Sequence, residues 1–134
     1  MEHKMNIVEQ DLKDNNIRRI LNFGHTIGHA LESYSKFKLS HGLAVFHGMK
    51  AALYISNKLN TLTIGNYHEA LKLINSFNIK WVKIIHPEKV LEFIDYDKKI
   101  SNNKLNFILL EKIGKAYINN NVSKDIIIES MKNI

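Results

Sequence analysis

The chain has 134 residues, 45% hydrophobic and 24% charged, with a formal net charge of +6 and no cysteine. That length suits one domain with a modest core, and the lack of cysteine excludes disulfides and thiolate metal sites. Only two of the 19 basic residues are arginines and the lysines are scattered, so no nucleic-acid partner is expected. No apolar run nears the ~20 residues of a membrane helix and "MEHKMNIVEQ" has no apolar middle, so no membrane partner and a cytoplasmic location are expected.

In chain order, "MNIVEQDLKDNNIRR" reads as a short helix or extended piece with a turn at Asn15 and Asn16. A helix is predicted from Ile20 to about Lys36. Ile20, Phe23, Ile27, Ala30, Leu31 and Tyr34 recur at steps of three and four along it. Gly24 and Gly28 fall inside this helix and form a bare face that admits another backbone or a ligand. "SKFKLS" reads as a loop. A long helix follows from Ser40 to about Asn60, with Ala44, Gly48, Ala51, Ala52, Ile55 and Leu59 on its buried side. A third helix is predicted over Asn66–Asn78, and "HPEKVLEFIDYD" is a fourth with Pro87 in its first turn. "KKISNNK" then reads as a loop. A hairpin is predicted near residues 105–119, with Gly114 at its turn. "VSKDIIIESMKNI" closes the chain as a helix capped by Ser123. The expected fold class is mostly α, a single multi-helical domain over residues 1–134 with one small hairpin.

The chemistry-bearing residues are histidines. In "RRILNFGHTIGHALE", His25 and His29 are four apart, which puts them on one helix face about 6 Å apart. His41 opens the next helix and can fold back onto them. Neutral imidazoles suit zinc and related divalent metals, but no His-Glu-x-x-His is present, which removes the zinc-peptidase reading. Arg18, Asn22, His25 and His29 share a stripe at offsets of four, three and four. That stripe reads equally as an anion-facing wall or as the wet face of an ordinary amphipathic helix.

"RRILNFGHTIGHALE" followed by "HGLAVFHGMKAALYIS" resembles the C-terminal domain of the 3-dehydroquinate synthase family. Its Arg-x-x-Leu-Asn-Phe-Gly-His-Thr/Ser-x-Gly-His-Ala-x-Glu stretch is matched from Arg18 to Glu32, and its His-Gly-Glu-x-Val-x-x-Gly-Met helix from His41 to Met49 apart from Leu43. Lys4, Ile7, Val8 and Asp11 fit the register upstream, and "DKKISNNKLNFILLEKIGKAY" resembles the Asp-Lys-Lys stretch and hairpin downstream.

The resemblance implies an enzyme that converts 3-deoxy-arabino-heptulosonate 7-phosphate into 3-dehydroquinate with loss of phosphate, using NAD and a divalent metal, zinc or cobalt. It implies that His25 and His41 are metal ligands and that His29 is the catalytic histidine facing the substrate. It implies further that Lys4, Arg18, Asn22 and the pair Lys98 and Lys99 hold the anionic sugar-phosphate substrate. A lysine-lined site suits phosphate and carboxylate, a metal polarises a hydroxyl, and a histidine can pass the proton released.

Two features depart from the family pattern. Leu43 stands where the family has a glutamate, which weakens the expected carboxylate support of the metal ligands. His47, four residues on, offers partial compensation for that carboxylate, but a plain surface histidine is the preferred reading. The family's N-terminal NAD-binding domain has no counterpart here, because no glycine-rich fingerprint follows a strand. The chain alone is therefore expected to be inactive, and an N-terminal-domain partner chain or a homodimer enters as an expected partner. Two other readings compete: a domain of a metal-dependent polyol or glycerol-type dehydrogenase, and a small basic helical module that binds nucleic acid or protein.

Overall fold

The computed structural model describes residues 23–36, 38–84, 86–100, 107–112 and 115–133. Lys4, Ile7, Val8, Asp11, Arg18, Asn22, the turn at Asn15 and Asn16, and Gly114 lie outside the described residues.

The described residues form helices α1 (His25–Tyr34), α2 (His41–Lys58), α3 (Ile64–Asn75) and α4 (Pro87–Ile100), strands β1 (Phe107–Lys112) and β2 (Lys115–Asn119), and helix α5 (Lys124–Lys132). The fold is mostly helical with one two-stranded antiparallel sheet. Three of these helices begin at hydroxyl caps, of which Ser123 is the one predicted. Ser40, Thr63 and Ser123 sit in extended backbone and accept the N–H of Leu43, Asn66 and Ile126, which satisfies donors that a helix start leaves unpaired.

Helix α1 starts five residues later than its apolar spacing predicts. Gly24 takes φ 83° and ends the turn that precedes the helix, and this left-handed backbone is cheap only for glycine. Among the described residues the helix that carries His25 and His29 therefore begins only after Gly24. Helix α3 starts two residues earlier than predicted and stops at Asn75, leaving Phe77 exposed beside Phe46, with ring centroids 5.5 Å apart.

Helix α2 is the centre of the packing. It crosses α1 and contacts α3, α5 and β1, while α4 packs on α1 and α5. The main core joins Ile27 and Leu31 of α1, Ala44, Ala51 and Ile55 of α2, and side chains from α4, β1 and α5. A second cluster of Leu53, Leu62 and Ile74 packs α3 against the other side of α2. In β1, Phe107, Ile108 and Leu109 are buried in succession, so both faces of that strand are covered. Leu109 pairs with Tyr117. Ser56 of α2 donates to the Ala52 carbonyl and accepts the Leu110 N–H at 2.9 Å, which ties the hairpin to α2.

The crossing of α1 and α2 follows from glycine. A Cβ on Gly48 would land on the Gly24 carbonyl oxygen, and one on Gly24 would meet Met49 and the Val45 carbonyl within 3 Å. Gly28 has the Ala44 carbonyl 3.2 Å from where its Cβ would stand. The bare face of the first helix is thus filled by the backbone of the second.

Candidate metal and substrate site

The close crossing sets the N-terminal halves of α1 and α2 side by side. The connection between them is short and internally bonded. The Ser35 hydroxyl donates to the Glu32 carbonyl at 3.0 Å and accepts the Leu39 N–H at 3.2 Å. Lys36 turns the chain with φ 55°. His41, the first residue of α2, returns over the face of α1 that carries His25 and His29.

The three imidazoles form a triangle. Ring centroids are 5.3 Å apart for His25 and His29, 5.4 Å for His25 and His41, and 5.9 Å for His29 and His41. Zinc–nitrogen bonds of about 2.0–2.1 Å in tetrahedral geometry put two ligand rings with centroids about 5 Å apart, so the donor set and spacing fit a divalent metal. Glu32, one turn beyond His29, places Oε1 2.7 Å from His41 Nδ1. Ligand atoms of His29, Glu32 and His41 all lie within 4.8 Å of one another. Among the described residues the tight set of ligand atoms is His29, Glu32 and His41, and the His25 ring stands beside it at 5.3–5.4 Å between centroids.

The electrostatics favour neutral imidazole at His25. Its burial pushes it below the usual histidine value, as do the neighbouring His29 and His41, while Glu32 pulls the other way. A neutral ring is the metal-binding form. His29 and His41 are exposed, as groups that meet a ligand must be.

The structure corrects two expectations around this site. His47 is not a surface histidine: it is 1% exposed. Its Nδ1 donates to the Leu43 carbonyl at 2.8 Å, its Nε2 accepts the Val82 N–H at 3.0 Å, and its ring packs edge-on against Trp81. Both nitrogens are engaged, so His47 is a packing residue and supplies no ligand in place of a carboxylate at Leu43. Lys98 and Lys99 are not in a loop. They form the last turn of α4, exposed, where cations interact favourably with the helix C-terminus. Sequence reasoning also missed the contact of Glu32 with His41. Its signal was available: Glu32 lies three residues after His29 and seven after His25, on the same helical face.

A family model described as 3-dehydroquinate synthase C-terminal matches residues 1–100. The chain belongs to the 3-dehydroquinate synthase C-terminal family. A 3-dehydroquinate synthase from Dehalococcoides mccartyi strain CBDB1 is 44% identical over 133 residues, 96% of this chain and 37% of that relative. One from Pyrococcus abyssi is 37% identical over 115 residues, 86% of this chain and 34% of that relative. The chain thus spans little more than a third of the synthases it matches.

Solved structures of the same fold include a 2-deoxy-scyllo-inosose synthase complexed with carbaglucose-6-phosphate, NAD+ and Co2+. It has a TM-score of 0.67 and 27% identity, covering 84% of this chain and 32% of that one. A 2-epi-5-epi-valiolone synthase from Streptomyces hygroscopicus subsp. jinggangensis, with NAD+ and Zn2+ bound, has a TM-score of 0.79 and 19% identity. It covers 96% of this chain and 36% of that one. The match to family members over nearly the whole chain favours neither a polyol dehydrogenase domain nor a basic binding module. Among the described residues, no helix is long and apolar enough to cross a membrane.

Proposed function

We propose that this chain is the metal- and substrate-binding part of a 3-dehydroquinate synthase, acting on 3-deoxy-arabino-heptulosonate 7-phosphate with release of phosphate. The observation that carries the reading is the triangle of His25, His29 and His41, built by the glycine crossing of α1 and α2. In this reading residues 1–134 are one domain. Nucleotide binding belongs to a further portion, on a longer chain or a partner chain, because these residues carry no glycine-rich fingerprint.

His25 and His41 are the proposed ligands of a divalent metal, zinc or cobalt. Bound between them, such an ion supplies Lewis-acid polarisation of a substrate hydroxyl. His29, exposed and beside both, is the proposed catalytic residue, exchanging a proton with that hydroxyl. Lys4, Arg18 and Asn22 precede the histidines in sequence, and with Lys98 or Lys99 they are the proposed partners of the substrate's phosphate and carboxylate. A phosphate at one end of a small substrate and a carboxylate at the other need cations from separate segments, which a compact pocket supplies and an extended nucleic-acid stripe does not.

A chimera tests the reading. These 134 residues would replace the matching third of the Dehalococcoides mccartyi synthase. The expected result is NAD-dependent phosphate release from the seven-carbon substrate, abolished by His41→Ala. A folded chimera that binds NAD and metal yet releases no phosphate would contradict it.

A further inference from the structure

The Glu32–His41 contact joins the last half of α1 to the first residue of α2. Glu32 Oε1 and His41 Nδ1 are 2.7 Å apart, at the short end expected of a charge-assisted bond. The two side chains differ in surroundings, with Glu32 14% exposed and His41 57% exposed. The carboxylate is therefore the fixed member, held against the helix, and the imidazole is the member being positioned. A carboxylate accepts and does not donate, so the hydrogen between them belongs to Nδ1. The other nitrogen, Nε2, is then the lone-pair atom left for a ligand. Without such a partner, nothing selects that tautomer at an exposed imidazole.

We infer that Glu32 is a positioning residue: it holds His41 as the Nδ1–H tautomer and presents Nε2 to the divalent metal. This rests on the proposed role of His41 as a ligand and adds an outer carboxylate to it. Partners of this kind orient a metal-bound histidine and raise its basicity. The inference also supplies a physical account of Leu43. A carboxylate is absent from the third residue of α2, yet the histidine at its first residue already has one, reaching across from α1. Glu32 is not itself a ligand in this arrangement, although its oxygens lie near enough to His29 and His41 to be counted with them.

Two readouts on the full chain separate this inference from the metal reading. The first is nitrogen-detected NMR of His41 without metal, at about pH 8, where an ordinary imidazole is neutral. Nδ1–H is expected in the parent and in Glu32→Gln, which keeps an accepting oxygen, and a shift towards Nε2–H is expected in Glu32→Ala. The second is zinc calorimetry. Glu32→Ala is expected to weaken binding by ~10–100-fold, and Glu32→Gln by only a few-fold.

An Nε2–H tautomer in the parent would overturn the inference, as it would make Nδ1 or Glu32 the ligand. So would zinc binding of equal strength in the parent and Glu32→Ala. If the tautomers behave as expected but the parent binds no zinc, the positioning contact stands and the metal assignment in the proposed function fails instead.

Discussion

At the scale of single residues, polar side chains here do different work according to what each nitrogen or oxygen meets. His47 is bonded at both ring nitrogens and packed on Trp81, which also has Lys50 Nζ 4.2 Å over its ring. Truncation removes packing and leaves the Val82 N–H unpaired. His47→Ala is expected to cost about 2–4 kcal/mol in urea unfolding, with zinc affinity unchanged while the protein is folded. A loss of zinc affinity without a loss of stability would make His47 a ligand after all.

Tyr54 gives a second residue-scale expectation. Its hydroxyl donates to Glu129 Oε1 at 2.6 Å, and Lys58 lies 3.3 Å from the same oxygen. That hydrogen bond, with burial, pushes the Tyr54 hydroxyl up to about 12, while Tyr54 and Lys58 hold the Glu129 carboxyl below its ordinary value. Between about pH 10 and 12 the unfolded tyrosine is ionised and the folded one is not, so stability falls as pH rises through that window. For Glu129 the sign is opposite, and stability is lost as pH falls below the ordinary carboxylate range towards the folded value. Thermal melting against pH is expected to show both legs. Tyr54→Phe should flatten the alkaline leg and leave the parent the more stable near neutrality. An unchanged alkaline leg would remove Tyr54 as its cause.

At the scale of elements, the site depends on how closely α1 and α2 approach. Gly48→Ala places a methyl on the Gly24 carbonyl, inside a backbone contact that no side-chain rotation relieves. A loss of at least ~2 kcal/mol is expected, seen as a drop in Tm of roughly 5–10 °C, together with weaker zinc binding as the histidines separate. Gly42→Ala is the control. Nothing lies within 4 Å of its Cβ position, and it sits in helix α2. It should be neutral or stabilise by up to ~1 kcal/mol. Equal effects from the two substitutions would contradict the glycine account of the crossing.

The elements also mark how far the sequence could be read. Apolar periodicity carried α2, the Ser123 cap carried α5, and two apolar runs either side of Gly114 in the sequence carried the hairpin, because each of these is a local signal. The start of α1 was missed because a glycine within a good periodic stripe looks tolerable until its φ is known. That His47 is buried was illegible for a different reason: its partner Val82 is 35 residues away. The meeting of His25, His29 and His41 was legible from spacing and helix direction, whereas the short Glu32 contact depends on the exact crossing that Gly24 and Gly48 permit.

At the scale of the whole molecule, the chain matches 96% of its own length but 37% of a relative's. The proposed reaction needs nucleotide, metal and substrate held together, and fixed geometry with excluded water supplies much of the barrier reduction. The 134-residue polypeptide alone, with NAD and zinc added, is therefore expected to release no phosphate from the seven-carbon substrate. Measurable release would mean that these residues suffice for the chemistry.

The most direct measurement is zinc titration by calorimetry into the parent chain and its three single alanine variants at His25, His29 and His41. The account predicts that His25→Ala and His41→Ala each weaken binding by ~100-fold or more, since losing a ligand exceeds the ~10–100-fold effect of losing its outer support. His29→Ala should change it by less than about threefold. A loss in His29→Ala as large as that in His25→Ala would contradict the division of the histidines into two ligands and one substrate-facing group.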